Sequence, residues 1–308
     1  MNEIELPNNM VRRMIFRSLQ HEATHIFLSE KERRFSLAEF MGIDLDVEKV
    51  TRAHIVQELD KINAAEFEKP CAVEKRFRRA LRQAGDFLAL TEVEQEVLAF
   101  FCLRVFSPAL KTYCKLIGPR TTQSYVEMLS ALIHYPLASV HKTIKNSGKL
   151  MKADLISTVL IRGEGLLFHL NSNDLAEQFI MGEFDEETME RIYGKVGPEP
   201  TLALGDYSHI ADVSELLIAH LKRSLVEQKP GVNICVYGMP GTGKTELARV
   251  LGKELDCETF EPAYEDEDGE PLISEFRLAK LRACLMSMTG KRRLIVCDEM
   301  DDLLRSEK

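Results

Sequence analysis

The chain has no tryptophan, no C-x-x-C pair and no stretch approaching 18 uninterrupted apolar residues. The missing tryptophan excludes nothing. The seven cysteines (71, 102, 114, 235, 257, 284 and 297) are scattered and odd in number, which speaks against a disulfide framework and for reduced thiols in a cytoplasm. A spanning helix needs about 20 consecutive apolar residues, so no membrane partner is expected. The opening "MNEIELPNNM" carries acids and no apolar centre, unlike a secretory signal. Positive charge is also short. Lys and Arg number 40 against 49 Asp and Glu, a formal net charge of −9. Bulk charge therefore does not draw the chain to nucleic acid, and any such role needs a local basic patch. What remains is an ordinary globular composition, 45% hydrophobic and 29% charged over 308 residues, enough for about two domains by length.

No repeat or low-complexity segment interrupts the chain. Residues 1–88 read as a helical region: Met14, Ile15, Leu19, Ile26 and Phe27 recur at roughly helical spacing. Within it, "VEKRFRRALRQ" (73–83) carries Lys75, Arg76, Arg78, Arg79 and Arg82, a basic helix that is either a solvated face or a contact for phosphate or an acidic partner. Residues 89–196 read as a second unit. Thr91 and Glu94 have capping-box spacing before the apolar run "VLAFFCLRVF", and Cys102 and Cys114 read as core thiols. Two helices, a short helix and a hairpin around 162–165 then suggest a winged helix-turn-helix, with His141, Lys142 and Lys145 exposed on its third helix. Such a unit either reads DNA or keeps the shape as an interaction module. Residues 194–209, with Pro198 and Pro200, read as a linker. "DVSELLIAHLKRSLVEQKP" then reads as a helix capped by Asp212 and Glu215, with Val213, Leu216, Leu217, Leu221 and Leu225 on one face.

The chemistry concentrates in residues 197–308. Val232–Tyr237 reads as a short buried parallel strand. It runs into "GMPGTGKT" (238–245), a full G-x-x-x-x-G-K-[ST] match, and then into a helix with Leu247, Val250, Leu251 and Leu255 on one face. Gly238, Pro240, Gly241, Thr242 and Gly243 would curl the backbone so that its N–H groups point at phosphate oxygens, helped by the helix N-terminus. Lys244 would meet the β- and γ-phosphates and Thr245 would offer its hydroxyl to Mg²⁺. "LIVCDE" (294–299) reads as the matching Walker B strand. Asp298 is placed to hold Mg²⁺ and Glu299 to activate water.

These two stretches resemble those of the AAA+ ATPases, in which a Gly-x-Pro-Gly-Thr-Gly-Lys-Thr loop is followed by an hhhhDE strand. The resemblance covers about residues 205–308. It implies a partial α/β P-loop NTPase domain, so that with the regions read ahead of it the expected fold is mainly α in front (helical, winged-helix-like) and α/β behind. It also implies adenine contacts from Asp206, Tyr207 and Ile210 in "GDYSHIADVSELL". The winged-helix-like unit in front is similar to that of bacterial members with helical N-terminal regions.

The sequence also departs from the family. It ends shortly after Walker B, without the sensor-1 strand, arginine finger, fifth strand and lid. In the family's strand order, 5-1-4-3-2, the run 232–237 would then lack a neighbour, with 256–261 as strand 2 and 294–298 as strand 3. The expectation is that the chain is a fragment, or that an assembly completes it, and that alone it binds nucleotide poorly and hydrolyses it poorly. Between strands 2 and 3 there is no aromatic-apolar-Gly pore triplet. Tyr264 is followed instead by Glu265, Asp266, Glu267 and Asp268, so peptide threading is in doubt.

"HEATH" (21–25) matches H-E-x-x-H, a zinc-peptidase pattern, yet only 20 residues precede it and they read as the same helix, where zincins place a sheet. The reading that follows from all of this is an ATPase using ATP and Mg²⁺ to remodel a protein client from within a self-assembled ring. The alternatives are an ATP-gated DNA-binding or signalling switch and, third, a zinc metallopeptidase.

Overall fold

The computed structural model describes residues 6–21, 38–42, 61, 69–118, 121–161, 165–229, 231–265, 269–287 and 292–300. They fall into two compact units, Met1–Glu186 and Glu187–Lys308. The expected boundaries at 88 and 196 do not appear as breaks in packing.

The first unit is helical apart from one hairpin. Its elements are α1 (Asn8–His21), α2 (Ala72–Leu88), α3 (Glu92–Phe106), α4 (Pro108–Ile117), α5 (Thr122–Ile133), α6 (Leu137–Ile144), α7 (Lys149–Lys152), β1 (Ile156–Ile161), β2 (Gly165–Leu170) and α8 (Asn173–Met181). The centre is α3. Its run Val97–Leu103 is buried on all sides, which is the environment an all-round apolar helix requires. It packs against α2, α4, α5, α6, α8 and β2. Thr91 starts α3 as its sequence implies, accepting from the Glu94 amide while the Glu94 carboxylate accepts from the Thr91 amide at 2.8 Å. Arg104 leaves the far end to donate to the Tyr125 hydroxyl at 3.1 Å and the Phe168 carbonyl at 2.8 Å, tying α5 and β2 to the same helix. Met14, Ile15 and Leu19 of α1 are buried, and Ile26 and Phe27 lie outside the described residues. So do residues 22–25 of HEATH, of which only His21 ends α1. Among the described residues no cluster of His, Cys, Asp and Glu could hold a metal, and no single helix is long and apolar enough to cross a membrane.

The helices read at "VLAFFCLRVF", "TTQSYVEMLSALIHY" and "LASVHKTIKNSG" are α3, α5 and α6, and the antiparallel β1–β2 hairpin follows, but α4 and α7, which the sequence reading lacked, stand between them. Lys142 is exposed, His141 half-buried, and Lys145 lies just past the end of α6. On α2, Lys75, Arg76, Arg79 and Arg82 are exposed, while Arg78 pairs with Glu96 and Glu74.

The second unit comprises α9 (Glu186–Tyr193), β3 (Gly194–Val196), a 3-10 helix (Leu204–Ile210), α10 (Ala211–Val226), α11 (Lys244–Glu254), β4 (Glu258–Pro262), α12 (Ser274–Ser287) and β5 (Arg293–Ile295). Three expectations need correction. First, residues 194–209 are no free linker. β3 pairs antiparallel with β4, and the 3-10 helix leads straight into α10. Second, that continuity puts Asp212 inside the first turn of α10, whose N-cap is Ile210, so Asp212 caps nothing. The inward stripe of α10 is Leu217, Leu221 and Leu225, whereas Val213 and Leu216 are exposed. Third, Val232–Tyr237 forms no strand among the described residues. The sheet order is β3-β4-β5, with β4 and β5 parallel, and nothing described lies in register beside 232–237. A strand without a ladder partner leaves its N–H and C=O groups to water. Accordingly residues 233–237 are exposed, up to 92% at Tyr237, while Val232 packs against the core.

The core of this unit joins Tyr207, Leu221, Leu247, Val250, Leu251, Leu255 and Cys257. It brings α11 down on β4 so closely that a Cβ at Gly252 would collide with the Thr259 methyl and come within 3.3 Å of the Cys257 carbonyl. In an open helix alanine is better than glycine by about 1 kcal/mol, but overpacking costs about 1–3 kcal/mol. The contact decides the sign here. Gly252→Ala is expected to lower the stability of the second unit by about 1–2 kcal/mol in chemical denaturation, and an unchanged or raised midpoint would show that the α11–β4 contact is looser than described.

Candidate nucleotide site

The loop 238–243 closes on itself before α11 begins. The Thr242 hydroxyl donates to the Met239 carbonyl at 2.9 Å, and Gly243, at φ 79°, is the N-cap residue of α11. That left-handed conformation favours glycine, and a Cβ there would also stand 3.1 Å from the Tyr207 hydroxyl. The first turn of α11 therefore points its free amides back toward the loop, where an anion gains most. Lys244 is the first residue of the helix. Its ammonium donates to the carbonyls of Gly238 at 3.1 Å and Met239 at 2.9 Å, so the side chain arches back over the loop.

Thr245 and Asp298 meet although 53 residues separate them. The Thr245 hydroxyl donates to Asp298 Oδ2 at 2.5 Å. The second oxygen of that carboxylate, Oδ1, accepts from the Glu299 amide at 2.9 Å. Glu299 itself sits at φ 51°, a left-handed conformation that costs a non-glycine residue about 1 kcal/mol or more and persists where its surroundings enforce it. Both acids are exposed at the end of β5.

The residues expected at adenine have other partners. Tyr207 is only 4% exposed, is part of the core, and donates its hydroxyl to the Gly243 carbonyl at 3.0 Å. Burial, followed by the Glu246 and Asp206 carboxylates, raises its pKa and keeps it a donor. Asp206 caps the 3-10 helix by accepting from the Ala203 amide at 2.8 Å, and Ile210 packs at the edge of the core. Of these side chains, Tyr207 braces the loop directly, at Gly243.

Two residues at the site escaped the sequence reading. Glu246, next to Thr245, accepts at Oε1 from the amides of Thr201 and Leu202 and from the Thr201 hydroxyl at 2.8 Å. It thereby ties the segment after β3 to the phosphate-loop helix. Arg249, one turn on, reaches Glu261 of β4 at 2.6 Å and 2.7 Å. The Thr201 hydroxyl bond, then the Leu202 amide bond, holds the Glu246 pKa below its ordinary value of 4.5. A lowered folded-state pKa gives stability that is complete above the unfolded value and is lost as pH falls through the folded one. Glu246→Gln is therefore expected to be less stable than the native chain at pH 7, with the gap closing as the pH falls below about 4. Urea titrations at several pH values measure this, and a gap independent of pH would contradict it. The other missed residue, Arg277 on α12, donates to the Asp298 carbonyl at 2.8 Å and the Glu299 carbonyl at 3.2 Å. An arginine on the inward face of a helix looks no different in sequence from one facing water.

A glycine loop feeding a helix, a lysine arched over it, and a threonine hydroxyl on a carboxylate three residues past a parallel strand are the parts of a P-loop nucleotide site. Comparison with known proteins gives the class more narrowly. The family model "ATPase family associated with various cellular activities (AAA)" matches residues 234–308. The replication factor C large subunit of Methanococcus vannielii is 35% identical over 77 residues, 25% of this chain and 15% of that protein. Its counterpart in Methanococcus maripaludis is 39% identical over the same length and shares. The proteasome-associated ATPase of Kribbella flavida is 25% identical over 176 residues, 51% of this chain and 30% of that protein. The matches thus span between 15% and 30% of these relatives' own length. No solved structure matches the chain. Residues 234–308 belong to the AAA ATPase family.

Proposed function

We propose that the second unit binds MgATP, hydrolyses it to ADP and phosphate, and uses the reaction to remodel a protein partner. The observation that carries this reading is the contact between Thr245 and Asp298 at 2.5 Å, beside Lys244 and the loop amides. Two hard oxygen donors side by side suit Mg²⁺. When bound, the ion would neutralise charge on the β- and γ-phosphates. The chain's own groups do the rest. Loop amides and the Lys244 ammonium cradle phosphate oxygens, the ammonium exchanging its two carbonyl partners for them. Asp298 orients the Thr245 hydroxyl, which donates to its Oδ2. The Glu299 carboxylate, exposed at the strand end, takes a proton from the attacking water. Saturable binding of a fluorescent ATP analogue with Mg²⁺, displaced by unlabelled ATP, tests the reading, and binding that ATP does not displace contradicts it.

The names of the relatives, one a large subunit and another proteasome-associated, support self-association. In a ring an arginine from a neighbouring copy would complete the site. A cytoplasmic setting belongs to the same proposal and rests on the unpaired cysteines. A second reading gives the first unit a winged-helix role in DNA binding. The helices α5–α7 with the β1–β2 hairpin and the exposed Lys142 and Lys145 support it. Binding that weakens steeply with salt and with charge reversal at both lysines would favour it over an adaptor role.

A further inference from the structure

Arg277 is the buried charge of the site, 8% exposed on the inward face of α12. Its Nη2 and Nη1 donate to two consecutive carbonyls, those of Asp298 and Glu299. A planar guanidinium fork can hold two acceptors at a fixed separation, which an ammonium cannot do. The dipeptide it grips is the one that must be placed accurately. Asp298 offers Oδ2 to Thr245 and Oδ1 to the Glu299 amide, and Glu299 stands in a left-handed conformation that no glycine relieves. That backbone turn decides where the Glu299 carboxylate points. The turn's own amide and the two donors of Arg277 are among the hydrogen bonds that hold it.

We propose that Arg277 is a positioning residue for hydrolysis: by clamping the Asp298 and Glu299 carbonyls it fixes the turn after β5 and so aims the Glu299 carboxylate at the water beside the nucleotide. The proposal rests on the ATPase reading given above. It separates phosphate binding from chemistry, because Lys244 holds to the loop carbonyls of Gly238 and Met239, while Thr245 meets the turn through Asp298 Oδ2 and not through the Glu299 carboxylate.

The test compares the native chain with Arg277→Ala, Arg277→Lys and Glu299→Gln in melting, MgATP affinity and single-turnover hydrolysis. In Arg277→Ala the ATP dissociation constant is expected to stay within about threefold while the single-turnover rate falls about 10- to 100-fold, the scale of a misplaced catalytic group. Arg277→Lys, able to reach one carbonyl at a time, is expected to recover only part of that loss. A native rate in Arg277→Ala, or full rescue by lysine, overturns the clamp. A rate loss matched by an equal loss of affinity, or by collapse of the melting transition in both Arg277 variants, also overturns it, since the role would then be structural. Failure of the ATPase reading shows differently, as no displaceable ATP binding or no effect of Glu299→Gln, and the catalytic half of the proposal falls with it. Amide hydrogen exchange at 298–300 then decides the clamp itself: faster exchange in Arg277→Ala upholds it, unchanged exchange overturns it.

Discussion

Lys244→Ala is expected to weaken ATP binding about 100-fold or more. The ammonium is the charged donor built into the loop, and its partners among the described residues are the carbonyls of Gly238 and Met239 at 3.1 and 2.9 Å. A polyphosphate offers it anionic oxygens in their place. Charge-assisted hydrogen bonds contribute about 1.5–3 kcal/mol each, and 1.4 kcal/mol is tenfold in affinity. Two such contacts give the stated loss with allowance for the loop amides that remain. The fold should be unaffected, because the lysine side chain lies outside the core of Tyr207, Leu247 and Val250. Isothermal titration of ATP into both proteins reads the effect directly. Equal affinity would mean that nucleotide, if bound, is held elsewhere.

Glu299→Gln has the opposite profile. Neither the Thr245 contact nor the Lys244 arch involves the Glu299 carboxylate, so the ATP dissociation constant should stay within about threefold. The amide cannot accept the proton of the attacking water, and general-base catalysis accounts for about 10²–10⁴-fold in rate. The hydrolysis rate of the chain should fall by at least about 100-fold, measured as phosphate released per bound ATP. A variant hydrolysing at the native rate would remove Glu299 from the chemistry.

How much of this was legible depends on how local each constraint is. The turn into α11 was legible because glycine at 243 takes a left-handed conformation just before the helix, with lysine and threonine as its first two residues. The pairing of Thr245 with Asp298 followed from two separate motifs whose chemistry needs a shared site. The capping box at Thr91 and Glu94 was legible for the same local reason, while that at Asp212 and Glu215 misled, since the 3-10 helix ahead of it already continues into α10. Strand pairing is non-local. The run 232–237 is as apolar as a central strand, but pairing also needs a neighbour in register, which the described residues do not provide. Conversely, Gly194–Val196 is too short and too close to prolines to look like a strand, and only the free edge of β4 makes it one. Tyr207 and Asp206 lay at the position expected from the resemblance. In the structure the Tyr207 hydroxyl donates to the Gly243 carbonyl and Asp206 caps the 3-10 helix, bonds that the aromatic and acidic character alone did not foretell.

The most direct test of the account is the Mg²⁺ dependence of ATP binding in the native chain, Thr245→Ala, Asp298→Asn and the double variant. If the hydroxyl and the carboxylate serve one ion, Mg²⁺ should tighten ATP binding in the native chain about tenfold or more. Either substitution should remove most of that gain, and the double variant should lose no more than the stronger single one. A Mg²⁺ gain that survives in Asp298→Asn, or losses that add in the double variant, would mean that the Thr245–Asp298 contact is not the metal site and would contradict the assignment of this unit as a MgATP-binding module.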